Sequence, residues 1–342
     1  MSARTAGVLS VAVLALSIAG AGSAANELSI KVVGNRLIDR DGHAVRLLGV
    51  NRSSFEYACA QGWGMSEGPT DSTAIAAMTS WHINVVRVPL NEACWLGLPS
   101  VNAQYRGAPY RQAVTAFVRR LHAAGLYVIV DLHWNAPGAR RALGQQRSAD
   151  ADHSPAFWRS VATAFRNDRA VLFDLYNEPH DISWECWRDG CRIPNGSKTA
   201  GMKQLVNAVR SACATQPILL GGLNWANDLS GWLHWRPPDP RRQLVASVHV
   251  YDGNACGDES CWDSVIAEVA GQVPVVSGEI GEEDCAHGFI DKYMSWADAH
   301  GVSYLAWGWN VWECRFPGLI TDYDGTPTEF GVGFRDHLAM LK

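Results

Sequence analysis

The sequence is poor in several features that would each point to a different kind of protein. Beyond residue 25 no apolar run approaches the roughly 20 residues that cross a bilayer, so the mature chain is not expected to sit in a membrane. There is no run of basic residues and no basic helix face, and the net charge is −5, which argues against nucleic acid or an anionic membrane as partner. No C-x2-C pair is present to suggest a zinc site. No G-x-G-x-x-G follows the first apolar strand, which removes the signature of an open dinucleotide-binding sheet. Internal repeats, low-complexity linkers and a second domain are also missing.

What is present begins with an export segment. Arg4 precedes the apolar stretch Val8 to Ala21, and small residues follow at Gly22, Ser23, Ala24 and Ala25. This reads as a cleaved signal over residues 1–25, hence a secreted, extracellular protein whose mature chain is 26–342. Nine cysteines fit an oxidising compartment. Cys186 and Cys191 are spaced to close a small loop, as are Cys256 and Cys261. Cys59 and Cys94 fall in successive loops, and Cys285 and Cys314 in two others. These four pairings are expected, with Cys213, in a predicted helix, left over as a buried free thiol.

The rest of the chain alternates. After a hairpin-like stretch from Leu28, apolar and β-branched runs occur at 46–51, 84–90, 127–133, 171–177, 217–223, 244–251, 273–279 and 303–310. Helical periodicity separates them, at 71–82, 110–124, 154–167, 198–215, 261–271, 288–300 and 329–341. Asp71 is a candidate N-cap and Gly125 a candidate stop. Only the Trp- and Pro-rich connection 224–240 lacks a helix signal. Eight strands alternating with helices predict a parallel sheet with right-handed crossovers, closed into a (β/α)8 TIM barrel. In such barrels the chemistry sits at the C-terminal ends of the strands.

Two of those ends are glutamates. The fourth run ends in Tyr176-Asn177-Glu178-Pro179, and the seventh, Val273 to Glu279, ends in Glu279. Strands four and seven lie roughly across the barrel mouth. Either residue alone could be a structural ion-pair partner; two together suit a retaining double displacement, in which one carboxylate attacks and the other moves the proton. Arg87 closes the second run and is placed to keep the attacking carboxylate ionised. His133-Trp134 ends the third and His249-x-Tyr251 the sixth. The histidines are expected to bond sugar hydroxyls or tune the carboxylates, and Tyr251 to donate to the nucleophile. Asn177 is placed for the sugar 2-hydroxyl. Trp307 in the eighth run is expected to stack on a sugar ring, while Trp309 is undecided between that and the core. Trp63, Trp95, Trp184, Trp187, Trp225 and Trp312 lie in the same loops as candidate subsite walls.

The set Arg87, His133, Asn177-Glu178-Pro179, His249-x-Tyr251, Glu279 and Trp307, in this order on successive strands, resembles glycoside hydrolase family 5, a cellulase-like family of the retaining clan A. The resemblance runs from about residue 26 to 342. It implies Glu178 as acid/base, Glu279 as nucleophile, no cofactor and no metal, and a hairpin over 28–45 closing the barrel bottom. It also implies a β-glycan or other carbohydrate substrate; separately, the protein is expected to be a monomer. An endo-β-1,4-glucanase is the favoured activity; β-mannan, xylan or a small β-glycoside are alternatives, and a non-catalytic sugar-binding barrel is the reading of another class.

Overall fold

The computed structural model describes residues 1–3 and 28–342, apart from Asn195 and Arg315. The export segment expected at 1–25 falls almost wholly outside the described residues. Among the described residues no helix is long and apolar enough to cross a membrane.

A small antiparallel sheet comes first, made of the hairpin β1 (Ile30–Val33) and β2 (Arg36–Asp39) with the short β3 (Ala44–Val45). Eight parallel strands then close into a barrel: β4 (Leu48–Asn51), β5 (Val85–Asn91), β6 (Tyr127–Trp134), β7 (Val171–Asp174), β8 (Ile218–Gly221), β9 (Leu244–Tyr251), β10 (Val275–Gly281) and β11 (Ser303–Ala306). The ring closes where Tyr304 of β11 pairs with Leu48 of β4. All eight expected runs are strands, in the expected order. Several are shorter than their apolar content suggests: β4 begins only at Leu48, β7 stops at Asp174, β8 at Gly221 and β11 at Ala306. Leu175 and Tyr176 continue the apolar pattern since they are buried, and past the end of β7 Leu175 N–H still donates to the Leu219 carbonyl of β8 at 3.1 Å.

Helices form where their caps are. Asp71 accepts from the backbone N–H of Thr73 and of Ala74, both at 3.0 Å, and starts helix Ser72–Thr79. Helix Ala108–Ala123 ends ahead of Gly125, whose φ of +82° few other residues would adopt. Between β8 and β9 the Trp- and Pro-rich segment makes only the short helix Trp232–Trp235.

Side chains alternate along a strand with period two, so one set on each strand faces the barrel interior. Leu47, Val85, Ile129, Leu172, Leu219, Val245, Val276 and Leu305 form the lower part of that interior as one apolar cluster. The hairpin adds Ile30 and Leu37 to it and covers the N-terminal end. Gln243 holds the hairpin, accepting from Val32 N–H at 2.7 Å and donating to its carbonyl at 3.1 Å. The alternate strand positions, among them Val86, Val88, Val128, Val130 and Phe173, pack with the surrounding helices in a second cluster.

Four disulfides join Cys59–Cys94, Cys186–Cys191, Cys256–Cys261 and Cys285–Cys314, the expected pairs. The expectation for Cys213 needs correcting. It is free but exposed, and it lies outside the helix, which ends at Ser211. At φ +61° its backbone turns the side chain out of the helical path and into solvent.

Candidate active site

Two residues above the apolar layer, the inward positions become polar: Arg87 follows Val85, Asp131 follows Ile129, and Asp174 follows Leu172. Arg87 is completely buried and organises this layer. A guanidinium has five N–H donors, and here five acceptors meet them. Nε bonds Asp174 Oδ2 at 3.0 Å, Nη1 bonds Asn51 Oδ1 at 3.0 Å and Glu279 Oε1 at 2.8 Å, and Nη2 bonds Asn177 Oδ1 at 2.9 Å and pairs with Asp131 Oδ2 at 3.1 Å. Burial opposes the charge on Arg87, but Asp131, Asp174 and Glu279 outweigh it and hold the guanidinium above its ordinary range. Burial also pushes the Asp131 and Asp174 carboxyls up to about 7 against the attraction of Arg87.

Glu279 is aimed by an irregularity in β10. The register with both neighbouring strands shifts just past Ser277, and such a bulge redirects the following side chain. Gly278 permits it, since an added Cβ would stand 3.0 Å from both His249 Nε2 and Ser247 Oγ. One oxygen of Glu279 accepts from Arg87; the other accepts from the Tyr251 hydroxyl at 2.8 Å, with His249 Nδ1 at 3.5 Å. Burial holds the Tyr251 phenol well above its ordinary range, so it stays a donor.

Glu178 approaches from the opposite wall, beyond the end of β7. Its backbone is left-handed, with φ +50°. Its Oε1 lies 2.9 Å from His249 Nδ1, and one oxygen of each glutamate lies within 4.8 Å of the other. Burial pushes the Glu178 carboxyl up to about 6. The same cause pulls His133 and His249 down to about 4, leaving both rings neutral at pH 7. His133 Nδ1 is held by Asp131 Oδ2 at 2.7 Å, and its ring lies nearly parallel to Trp307, with centroids 5.4 Å apart.

These groups open onto a cavity of about 620 Å³ lined by His133, Glu178, Trp225, Tyr251, Glu279 and Trp307, with Glu283 and Phe316 at its edge. A groove of similar size, about 670 Å³, opens near Leu28 and Arg169 at the hairpin end, but no pair of convergent carboxylates lies in it. Chemistry rather than volume picks out the site.

Of the predicted site residues, Arg87, His133, Asn177, Glu178, His249, Tyr251, Glu279 and Trp307 come together here. Trp134 does not line this cavity, but its ring lies 6.2 Å from that of Tyr57, which is in turn 6.4 Å from Trp312. The loop tryptophans divide. Trp63 and Trp225 are exposed, and Trp312 lies 6.0 Å from Trp307. Trp95 and Trp187 are fully buried and belong to the core, as does Trp309, which packs edge-on against Trp81. A position in a loop does not say which way a ring points. Sequence reasoning missed Asn51, Asp131, Asp174 and Gln145. The first three could have been reached by counting inward positions from Arg87, whereas Gln145 sits in a loop without periodic signal.

Among the described residues one donor set could hold a metal ion, Glu178, His249 and Glu279. Arg87 and Tyr251 already donate to both oxygens of Glu279, so a cation there would have to displace them.

The family model for cellulase (glycosyl hydrolase family 5) matches residues 38–312. The chain belongs to glycosyl hydrolase family 5. It is thereby a glycoside hydrolase, of a family that works with retention. Among its family relatives, a probable endo-beta-1,4-glucanase B of Neosartorya fischeri is 27% identical over 256 residues, covering 71% of this chain and 72% of the relative. An endoglucanase of a Microbulbifer species is 25% identical over 327 residues, covering 90% of this chain but only 58% of the relative. The chain thus spans little more than half of some curated relatives that it matches. A beta-glucanase from Saccharophagus degradans, solved in complex with cellotetraose, shares the fold with a TM-score of 0.71 at 21% identity, over 92% of this chain and 94% of that one.

Proposed function

We propose that this family 5 hydrolase is a secreted endo-β-1,4-glucanase that cleaves by double displacement, with Glu279 as nucleophile and Glu178 as acid/base. The observation that carries the reading is the contrast between two carboxyls facing each other across one cavity. Glu279 receives a guanidinium and a phenol, two donors that hold its oxygens in place facing the cavity. Glu178 is partly buried without a cation at its carboxylate, and its raised value of about 6 keeps a useful fraction protonated near neutrality. Their closest oxygens, within 4.8 Å, leave carboxyl groups near the about 5–5.5 Å of a retaining pair.

In the first step Glu178 gives its proton to the glycosidic oxygen as the bond to the anomeric carbon breaks, and a Glu279 oxygen bonds that carbon. Glu178, now ionised, takes a proton from water, which attacks the same carbon and releases Glu279. The sugar keeps its β configuration. Neutral His133 and His249 are suited to bonding hydroxyls without adding charge, and Asn177, whose Nδ2 lies 3.5 Å from Glu178 Oε2, is assigned to the 2-hydroxyl. Trp307 and Trp225 both line the cavity and are assigned as stacking surfaces for sugar rings. Four disulfides support an oxidising, extracellular setting.

The test is hydrolysis of carboxymethylcellulose, barley β-glucan, mannan, xylan and aryl glycosides, with Glu279→Ala as control. Rapid viscosity loss on a glucan, absent in the control, is expected. Activity confined to mannan, xylan or aryl glycosides would overturn the glucanase assignment, and equal activity in the control would overturn the role of Glu279.

A further inference from the structure

We propose that Gln145, on the loop after β6, is a positioning residue that locks Asn177 and the acid/base Glu178 to Arg87. The inference rests on the assignment of Glu178 above and adds a residue to that machinery. The argument is one of hydrogen-bond polarity. Arg87 can only donate, so Asn177 must turn its Oδ1 toward it, at 2.9 Å. Asn177 Nδ2 therefore points the other way and donates to Gln145 Oε1 at 2.7 Å. That leaves Gln145 Nε2 to donate to the Glu178 backbone carbonyl, also at 2.7 Å, an oxygen that can only accept. The direction of every bond from the guanidinium to the Glu178 peptide is thus fixed by its ends.

The peptide so held needs holding. Glu178 has φ +50°, a left-handed conformation that side chains with a Cβ disfavour, and such strain persists only when the surroundings over-determine it. Gln145 supplies one donor to its carbonyl and His180 Nδ1 the other, at 3.0 Å. The loop is itself tied to the same stretch on both sides of Gln145's contact. Gln146 N–H donates to the Tyr176 hydroxyl at 3.1 Å, and His180 N–H donates to the Arg147 carbonyl at 3.0 Å. Gln145 touches neither carboxylate; it fixes the backbone from which the proton-donating carboxyl projects.

A misplaced proton donor is costly only when the leaving group needs its proton. The experiment compares kcat/KM of Gln145→Met and wild type on an oligosaccharide and on an activated aryl glycoside of the same sugar. For the Met variant the expected loss is about tenfold to a hundredfold on the oligosaccharide and under about threefold on the activated glycoside. Equal losses on both substrates, or no loss on the oligosaccharide, would overturn the proposal. Gln145→Glu provides a second reading, as it sets an acceptor against the Glu178 carbonyl and a negative charge nearby. It should move the alkaline limb of the oligosaccharide pH profile upward, and an unmoved limb would count against the proposal even if the Met variant did not fold. Failure of the underlying assignment is distinguishable, since Glu178→Ala in an otherwise native chain would then lose both substrates alike or neither.

Discussion

Below Arg87 the inward positions of the barrel carry Leu47, Val85, Ile129, Leu172, Leu219, Val245, Val276 and Leu305, sealed by Ile30 and Leu37 of the hairpin. One layer higher the same strands carry Asn51, Arg87, Asp131, Asp174, His249 and Glu279, nearly as buried. The lower layer is what folding favours, each large aliphatic side chain contributing about 1.5–3 kcal/mol by leaving water. The upper layer sets one guanidinium among three carboxylates, and removing such charges from water costs several kcal/mol per ion before their attraction offsets it. Stability is therefore gained at one end of each strand and drawn upon at the other, where the proposed mechanism uses the charges.

Variants that cross the two layers should separate turnover from stability. Glu279→Ala has the largest expected effect, a fall in kcat of about 10⁴-fold or more with a melting temperature equal to or above wild type, read by steady-state kinetics and calorimetry. Arg87→Met should cost about 3–5 kcal/mol in denaturant unfolding, because it leaves Asp131, Asp174 and Glu279 buried without their cation. Leu172→Ala should cost about 2–5 kcal/mol in the same assay yet leave kcat of the folded protein unchanged, the mirror image of Glu279→Ala. With Glu178 as the proposed proton donor, activity should decline as pH rises through about 6, where its proton is lost. The decline should be absent on an activated aryl glycoside. Trp63→Ala, at a ring 66% exposed, should change stability by no more than about 0.5 kcal/mol and raise KM for long oligosaccharides modestly.

The sequence is most readable where local rules act. Eight apolar runs, the Asp71 cap and the Gly125 stop follow from periodicity and backbone preference, and all appear in the fold. Glu178 and Glu279 stand out because an acidic residue at the end of an apolar run is costly unless paired or used. Contacts set by register are not readable. Asn51 lies opposite Arg87, and Asp131 opposite Asp174, only because the sheet closes with a particular stagger. Ring orientation is also hidden: Trp95, Trp187 and Trp225 look alike in sequence, but the first two point into the core and the third into the cavity. Cys213 departs from expectation because a helical pattern continues past the point where the helix stops.

The most direct test of the division of labour between the two glutamates is trapping of the covalent intermediate. Wild-type protein would be incubated with a 2-deoxy-2-fluoro glycoside bearing a good leaving group, and the labelled peptide identified by mass spectrometry. A stoichiometric glycosyl ester on Glu279, slowly lost with return of activity, is the predicted result. A label on Glu178, or turnover that inverts the anomeric configuration without any label, would contradict the account.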